Sequence, residues 1–402
     1  MSDVTARPLP LSGVTVIDLG QIYNGPYATF LMAQAGARVI KVEPLNGENM
    51  RRRGAVGGAM VPFAMLNSNK EFITLNIKSA RGKALLETLA EKADVLLENF
   101  APGVMDRLGL GPDHLMALNP RLIYAAGSGF GWSGPYRDYP AMDLTVQAMS
   151  GIMSTTGYPD RPPVKAGPAV ADFSGGVHLY GAVVTALFER ERTGLGRFVE
   201  VSMFDAVYAS NSSALGLYFG SGGKAPMRTG NRHSGMAEAP YNVYPAADGY
   251  IALICVSEQH FVSLLEAMGR TELADDPRLA TLRSRVANID FVDEIVSEWT
   301  SGRTRDALYE TLRRHRVPCA PLRDLDEVVN DPHLHQRGML QRVDHPLLGE
   351  LVLPTSPMRY GGEGERTLRP SKELGADTSG ILSEFAGLDA DEVEQLHKEG
   401  VV

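Results

Sequence analysis

Val14-Thr-Val-Ile-Asp-Leu19, Tyr23-Asn-Gly-Pro26, Phe30-Leu-Met32 and Gly36-Ala-Arg-Val-Ile-Lys-Val42 follow one another near the start of the chain. The first stretch is a β-branched run suited to a strand, the second is turn chemistry, and the third begins an apolar segment of helical character. Arg38-Val-Ile-Lys-Val42 reads as a second strand, ended by the breaker Pro44. A strand, helix and strand within about 30 residues form a βαβ unit with parallel strands. The pattern recurs. Phe72-Ile-Thr-Leu75 reads as a strand, Ser79 as an N-cap, and Leu85, Leu86 and Leu89 as the apolar stripe of a helix leading to strand Asp94-Val-Leu-Leu97. Leu122-Ile-Tyr-Ala-Ala126 and Phe198-Val-Glu-Val-Ser202 continue the series, with a long helix expected from Gly175 to Glu191 between them. Strands alternating with helices predict an α/β fold: a large, doubly wound, mainly parallel sheet covered on both faces.

Working outward, the first block of this domain is expected to span residues 1–205. Residues 206–235 are a linker rich in glycine. Residues 236–325 form a smaller α+β unit, with β character from Tyr241 to Ile254 and helix after the cap Thr304. Residues 326–402 return to the large domain, with Leu351-Val-Leu353 as a returning strand and a charged terminal helix around Asp391 to Lys398.

The chain has 402 residues, 44% hydrophobic and 22% charged, enough to bury substantial cores. Its net charge of −9 offers no basic field to a nucleic acid. Two cysteines, Cys255 and Cys319, provide no disulfide framework. The apolar stretch Gly181 to Phe188 is far shorter than the roughly 20 residues that cross a bilayer, and the first ten residues lack the apolar core of a signal peptide. The expected location is the cytoplasm, with no membrane partner.

Several chemistries lack their motifs. No Gly-x-Gly-x-x-Gly follows the first strand, where Gly20-Gln-Ile-Tyr-Asn-Gly25 stands, and no P-loop occurs. His-Glu-x-x-His and Gly-x-Ser-x-Gly are also missing, so neither a metal, a nicotinamide or flavin, nor a serine nucleophile is expected. What remains is Lys165-Ala-Gly-Pro-Ala-Val-Ala-Asp172-Phe-Ser-Gly-Gly176, which puts a carboxylate at the mouth of an apolar helix. Asp172 reads locally as an N-cap. The same geometry also allows a carboxylate that the helix dipole keeps ionised beside a ligand, with Gly175 and Gly176 leaving room, although the cap is the plainer local reading. Local sequence leaves both open.

Taken together, Leu11-Ser-Gly-Val-Thr-Val-Ile-Asp18, Gly36-Ala-Arg-Val-Ile-Lys-Val-Glu-Pro44, Leu66-Asn-Ser-Asn-Lys70, Leu75-Asn-Ile-Lys78, Glu98-Asn-Phe-Ala-Pro-Gly103, Ser128-Gly-Phe-Gly131 and Gly194-Leu-Gly-Arg-Phe-Val-Glu-Val-Ser202 resemble the family III CoA-transferases. That group includes formyl-CoA, carnitine and succinyl-CoA dicarboxylate transferases and the related α-methylacyl-CoA racemases. The resemblance covers nearly the whole chain. It implies an interlocked homodimer, acyl-CoA and a carboxylic acid as substrates, and Asp172 as a nucleophile that forms an aspartyl anhydride and then an aspartyl-CoA thioester.

By the same resemblance, Gly129 and Gly131 offer N–H groups to the oxyanions, and residues 220–223 correspond to a glycine-rich active-site loop. CoA is expected to meet Leu75, Asn76, Lys78, Asn99, Phe100, Ala101, Arg107, Ala141, Met142 and Asp143. Tyr23, Arg51, Arg228 and His233 are candidates for the acyl group, within the basic segments Arg51-Arg-Arg53 and Arg228-Thr-Gly-Asn-Arg-His233. Pro44 and Tyr23 replace an Arg and a Gln of the oxalate-using formyl-CoA enzymes, which favours a different short dicarboxylic or hydroxy acid, with succinyl-CoA as donor. A racemase is the alternative. It would need a histidine where Met142 stands, although Glu258 occupies a position where racemases also have a carboxylate. A protein that binds acyl-CoA without turnover is the third reading.

Overall fold

The computed structural model describes residues 7–52, 60–362, 364 and 366–402. Six short apolar runs pair as parallel strands: β1 (Thr15–Asp18), β2 (Arg38–Glu43), β3 (Glu71–Thr74), β4 (Val95–Glu98), β5 (Ile123–Ser128) and β6 (Phe198–Ser202). Their order is β3-β2-β1-β4-β5-β6. The chain winds outward from β1 to one edge, then returns to place β4 beside β1 and winds the other way, with Val16 opposite Val95 and Asp18 opposite Leu97. Where the winding reverses, the loops leaving β1 and β4 diverge and open a crevice at the carboxyl ends of the strands.

Because side chains alternate along a strand, each strand supplies both faces of the sheet. Ile17, Ile40, Ile73 and Leu96 pack on one face with Leu86 and Leu89 of α2 (Ala80–Lys92). Ser79 caps α2, its hydroxyl accepting from Gly82 N–H at 3.0 Å. Val16, Val39, Val95 and Ile123 pack on the other face with Ala28 and Met32 of α1 (Asn24–Gln34) and with Leu179 and Val183. The last two belong to a long helix that begins at Val170 and runs to Thr193, five residues earlier than the sequence reading placed its start. At 24 residues it is long and apolar enough by composition to cross a bilayer, which the 181–188 stretch alone did not reveal; its inward side is buried against the sheet.

The chain divides into two units: residues 1–146, 168–207 and 329–402, and residues 147–167 and 208–328. Residues 147–167 thus group with the second unit, apart from the 1–205 block read from sequence. The C-terminal segment returns to the first unit through helices. Ile381, Phe385 and Leu396 join the core beside α2, and Asn76 N–H donates to Val401 O at 2.8 Å. The expected returning strand does not join the large sheet. Gly349–Pro354 pairs antiparallel with Leu340–His345 in a hairpin of its own. The second unit contains a three-stranded antiparallel sheet, Tyr241–Ala246, Gly249–Ile254 and Cys319–Pro321, packed with helices Glu258–Met268, Ile289–Ser301 and Arg305–Arg314. Thr304 caps the last of these.

A buried ion pair fixes the carboxyl end of β1. Lys70 Nζ lies 2.9 Å from Asp18 Oδ2 with both side chains fully buried, and it also reaches Thr29 Oγ1, Asn67 Oδ1 and Pro26 O. Burial alone would push the Asp18 pKa up, but Lys41 and Lys70 outweigh it and the net shift is down. Burial lowers that of Lys70 to about 8. Lys70→Met leaves the Asp18 charge without its direct partner, and we expect it to cost about 3–5 kcal/mol in urea unfolding. A loss below about 1 kcal/mol, the level of a surface pair, would contradict this account of the strand end.

Candidate active site

A cavity of about 610 Å³ opens at the reversal point of the sheet. Its wall draws on the loop after β1 (Gln21, Ile22, Asn24), the loop after β4 (Asn99, Phe100, Ala101), the end of β5 (Gly127, Ser128, Gly129, Phe130) and residues 137–142. Asp172 also lines it, 7% exposed. The cavity lies entirely within the first unit.

Asp172 is not the cap of its helix. The N-cap position is Ala169, and Asp172 sits within the first turn. The free N–H groups of that turn are taken from outside by Asp143, at the start of α3 (Asp143–Met149); its Oδ1 accepts from Ala171 N–H at 2.9 Å and Asp172 N–H at 3.3 Å. The helix from Val170 to Thr193 is α4. This arrangement reverses the expectation that the helix dipole keeps Asp172 ionised. Burial raises its pKa, the Asp143 charge raises it further, and a backbone hydrogen bond from Asn24 only partly opposes them, leaving a value of about 7.

The expected site residues divide. Asn99, Phe100, Ala101, Gly129, Ala141, Met142 and Asp172 line the cavity. Asn99 does so with its amide committed: Oδ1 accepts from Gln21 N–H at 2.7 Å and Nδ2 donates to Gln21 O at 2.9 Å. It clasps the β1 and β4 loops together. The Gly131 N–H donates to Ser128 Oγ at 3.0 Å, which takes it away from an oxyanion. Leu75 is core and Asn76 is tied to the C-terminal segment, while Lys78 is exposed; none of the three lines the cavity. Tyr23 stacks on Phe173 with ring centroids 5.8 Å apart.

Arg51 turns inward, its guanidinium pairing with Glu43 at 2.9 Å over the Phe63 ring, so it is not available to a substrate anion. Its neighbour Arg52 lines the cavity instead, and Arg53 falls outside the described residues. Arg228 and His233 belong to the second unit. Arg228 donates to the carbonyls of Tyr158 and Arg161, and the His233 Nδ1 accepts from Gly235 N–H. Residues 220–223 also lie in that unit, and Glu258 is paired there with the buried Arg285 at 2.8 Å.

Among the cavity residues that the sequence reading did not single out are Asn24, Arg137 and Tyr139. Arg137 is the most informative. A Cβ placed on Gly103 would lie 3.3 Å from Arg107 Nη1 and 3.7 Å from Arg137 Nη2, so two exposed guanidiniums converge over this glycine. Like charges held this close favour an anion between them. Glu98, just before Asn99, accepts from Phe100 N–H at 2.6 Å and shapes the turn; burial raises its pKa to about 8.

The fold and cavity thus define a doubly wound α/β protein with a buried, high-pKa carboxylate at the switch point and cationic groups on its rim. The CoA-transferase family III profile matches residues 11–378, and the chain belongs to that family. It is 40% identical over 396 residues to an acetyl-CoA:oxalate CoA-transferase of Acetobacter aceti, covering 97% of this chain and all of that one. It is 34% identical over 399 residues to a succinyl-CoA–D-citramalate CoA-transferase of Chloroflexus aurantiacus, covering 98% of each. The crystal structure of a CAIB/BAIF family protein from Brucella suis superposes with a TM-score of 0.82 at 34% identity, over 94% of this chain and all of the other. The protein is therefore a CoA-transferase, moving CoA between an acyl-CoA and a carboxylic acid.

The Asp172 environment sets a stability test. A carboxyl whose folded pKa lies above its unfolded value destabilises the fold as pH rises from about 4 to about 7, and the full penalty stands above that. Asp172→Asn removes it. We expect the variant to be more stable than the wild type at pH 8, by on the order of 3 kcal/mol, with the difference vanishing near pH 4. Unfolding midpoints at the two pH values check this, and equal midpoints at pH 8 would count against a strained carboxylate.

Proposed function

We propose that the protein transfers CoA from a donor such as succinyl-CoA to a short dicarboxylic or hydroxy acid through covalent intermediates on Asp172. The observation that carries this reading is a carboxyl, 7% exposed with its pKa at about 7, in the wall of the cavity at the switch point. The ionised Asp172 attacks the thioester carbonyl of the donor, forming a mixed anhydride and releasing CoA thiolate. The thiolate then attacks the Asp172 side of the anhydride, giving an aspartyl-CoA thioester and freeing the donor acid. The acceptor carboxylate runs both steps in reverse. No group is oxidised, and water must be kept out because it would hydrolyse the anhydride.

Arg107 and Arg137, converging over Gly103, suit the phosphates of CoA, and Phe100 offers an apolar face to its pantetheine arm. Gly129, in the cavity wall, is the remaining glycine candidate for an oxyanion contact. Arg52 is the group we assign to a second carboxylate on the acyl chain. The relatives named for oxalate and D-citramalate support a dicarboxylic acceptor. Oxalate belongs in any substrate panel, although Pro44 and Tyr23 depart from the oxalate-using formyl-CoA enzymes.

The racemase reading has less support. Racemisation needs an acid and a base on opposite faces of the α-carbon. Met142, in the cavity wall, offers a thioether where an imidazole would be needed, and Glu258 is held by Arg285.

Asp172→Ala should fold and lose acyl exchange by at least about a thousandfold, in keeping with removal of a covalent nucleophile. Appreciable exchange by the folded variant would refute the assignment. In the wild type, the exchange rate should rise with pH through about 7, since only the ionised carboxyl attacks. In D₂O, 2-methylacyl-CoA should gain no enzyme-dependent α-deuterium while exchange proceeds; rapid deuteration without exchange would reverse the reading. Arg52→Gln should raise KM for dicarboxylic acceptors about tenfold while leaving monocarboxylic acceptors nearly unchanged.

A further inference from the structure

Asn24 opens α1, is 2% exposed, and forms part of the cavity wall. Its surroundings are arranged around its side chain. A Cβ on Gly127 would lie 2.3 Å from Asn24 Oδ1, and a Cβ on Gly175 would lie 2.3 Å from its Nδ2. A Cβ on Gly176 would come within 2.7 Å of its carbonyl oxygen. Real Cβ atoms do not approach other atoms so closely, so β5 and α4 reach this asparagine only because all three positions are glycine.

The same residue holds Asp172 at two points. Its Nδ2 donates to the Asp172 carbonyl oxygen at 3.3 Å, and its backbone N–H hydrogen-bonds the Asp172 carboxyl. The Asn24 Oδ1, by contrast, is buried with no hydrogen-bond partner. A buried carboxamide with an orphaned oxygen costs stability that a small apolar residue would avoid. Neither close packing nor stability alone accounts for an amide here, whereas the bond from Nδ2 to Asp172 does.

We infer that Asn24 is a positioning residue for Asp172: it pins the first turn of α4 to the start of α1, so the carboxyl stays in place while acyl and then CoA groups are loaded and removed. This rests on the covalent reading given above. Two successive attacks, by the Asp172 carboxylate on the donor thioester carbonyl and then by the thiolate on the Asp172 carbonyl of the anhydride, both require the carboxyl within a fraction of an ångström of its productive place.

The test uses the full-length protein with acyl-CoA and an acceptor acid, comparing the wild type, Asn24→Ala and Asn24→Asp. Asn24→Asp is nearly isosteric and keeps the test available if the alanine variant fails to fold. It exchanges the donor for a carboxylate facing the Asp172 carbonyl and adds negative charge beside the nucleophile. We expect kcat at pH 7 to fall at least about tenfold in either variant, with KM for acyl-CoA within about threefold of the wild type. In Asn24→Asp, the acid limb of the pH–rate profile should move up by about one pH unit, because a like charge disfavours ionisation of Asp172. Intact-protein mass spectrometry under single-turnover conditions reports CoA carried on Asp172. A wild type that exchanges CoA with no adduct on Asp172 overturns the covalent reading and this inference with it. A wild type that carries the adduct, alongside folded variants matching its kcat and acid limb, overturns the inference alone.

Discussion

The first unit depends on a charge pair at the end of β1. Asp18 is the last residue of the strand, and its carboxylate accepts from Lys70, from Thr29 of α1 and from the backbone N–H of Gly20. Lys41, on β2, donates to Gly20 O from a fully buried position. Taken singly, these are costly burials. Taken together, each polar atom answers another, and the turn from β1 into α1 has few other ways to run. That turn carries Gln21, Ile22 and Asn24 to the cavity, so the placement of the wall follows from a network that never touches it.

From that fixed end, asparagines extend the order across the switch point. Asn99, leaving β4, uses both ends of its amide on the Gln21 backbone, tying together two loops that the topology would otherwise let splay. A doubly wound sheet opens a crevice where its winding reverses, but it does not set the width of that crevice; these side-chain-to-backbone bonds do. Asn69 makes a similar link farther out, donating to Thr367 O and accepting from Arg369 N–H, which anchors the C-terminal segment to the loop before β3.

Much of the architecture was legible because it depends on local period and breakers. The six parallel strands lie within a residue or so of the apolar runs beginning at Val14, Arg38, Phe72, Asp94, Leu122 and Phe198, and Ser79 and Thr304 cap the helices they precede. What sequence misplaced depends on long-range partners. The start of α4 at Val170 is set by Asp143, 28 positions from Ala171, so no local cap announces it. The run at Leu351 has the character of a strand, but only pairing decides whether it joins the large sheet or the hairpin it forms. Among three adjacent arginines, the one that reaches the cavity is determined by Glu43 capturing Arg51, a choice that composition cannot express. Asn24 was passed over as part of a turn because its significance lies in glycines more than a hundred positions away.

The placement of Asp143 also resolves an apparent conflict in the site. A helix N-terminus is a natural seat for a carboxylate, and by itself would hold the pKa of Asp172 low, making a stable but weakly basic anion. Asp143 occupies the N–H groups through which that field acts and sets a second negative charge nearby. With burial added, the Asp172 pKa moves up to about 7 rather than down. A more basic carboxylate is a better nucleophile and a poorer leaving group, which is the character that the proposed covalent route asks of Asp172. The helix supplies rigidity while its polarity is spent elsewhere, so the same turn holds a carboxylate firmly in place while its pKa stays raised.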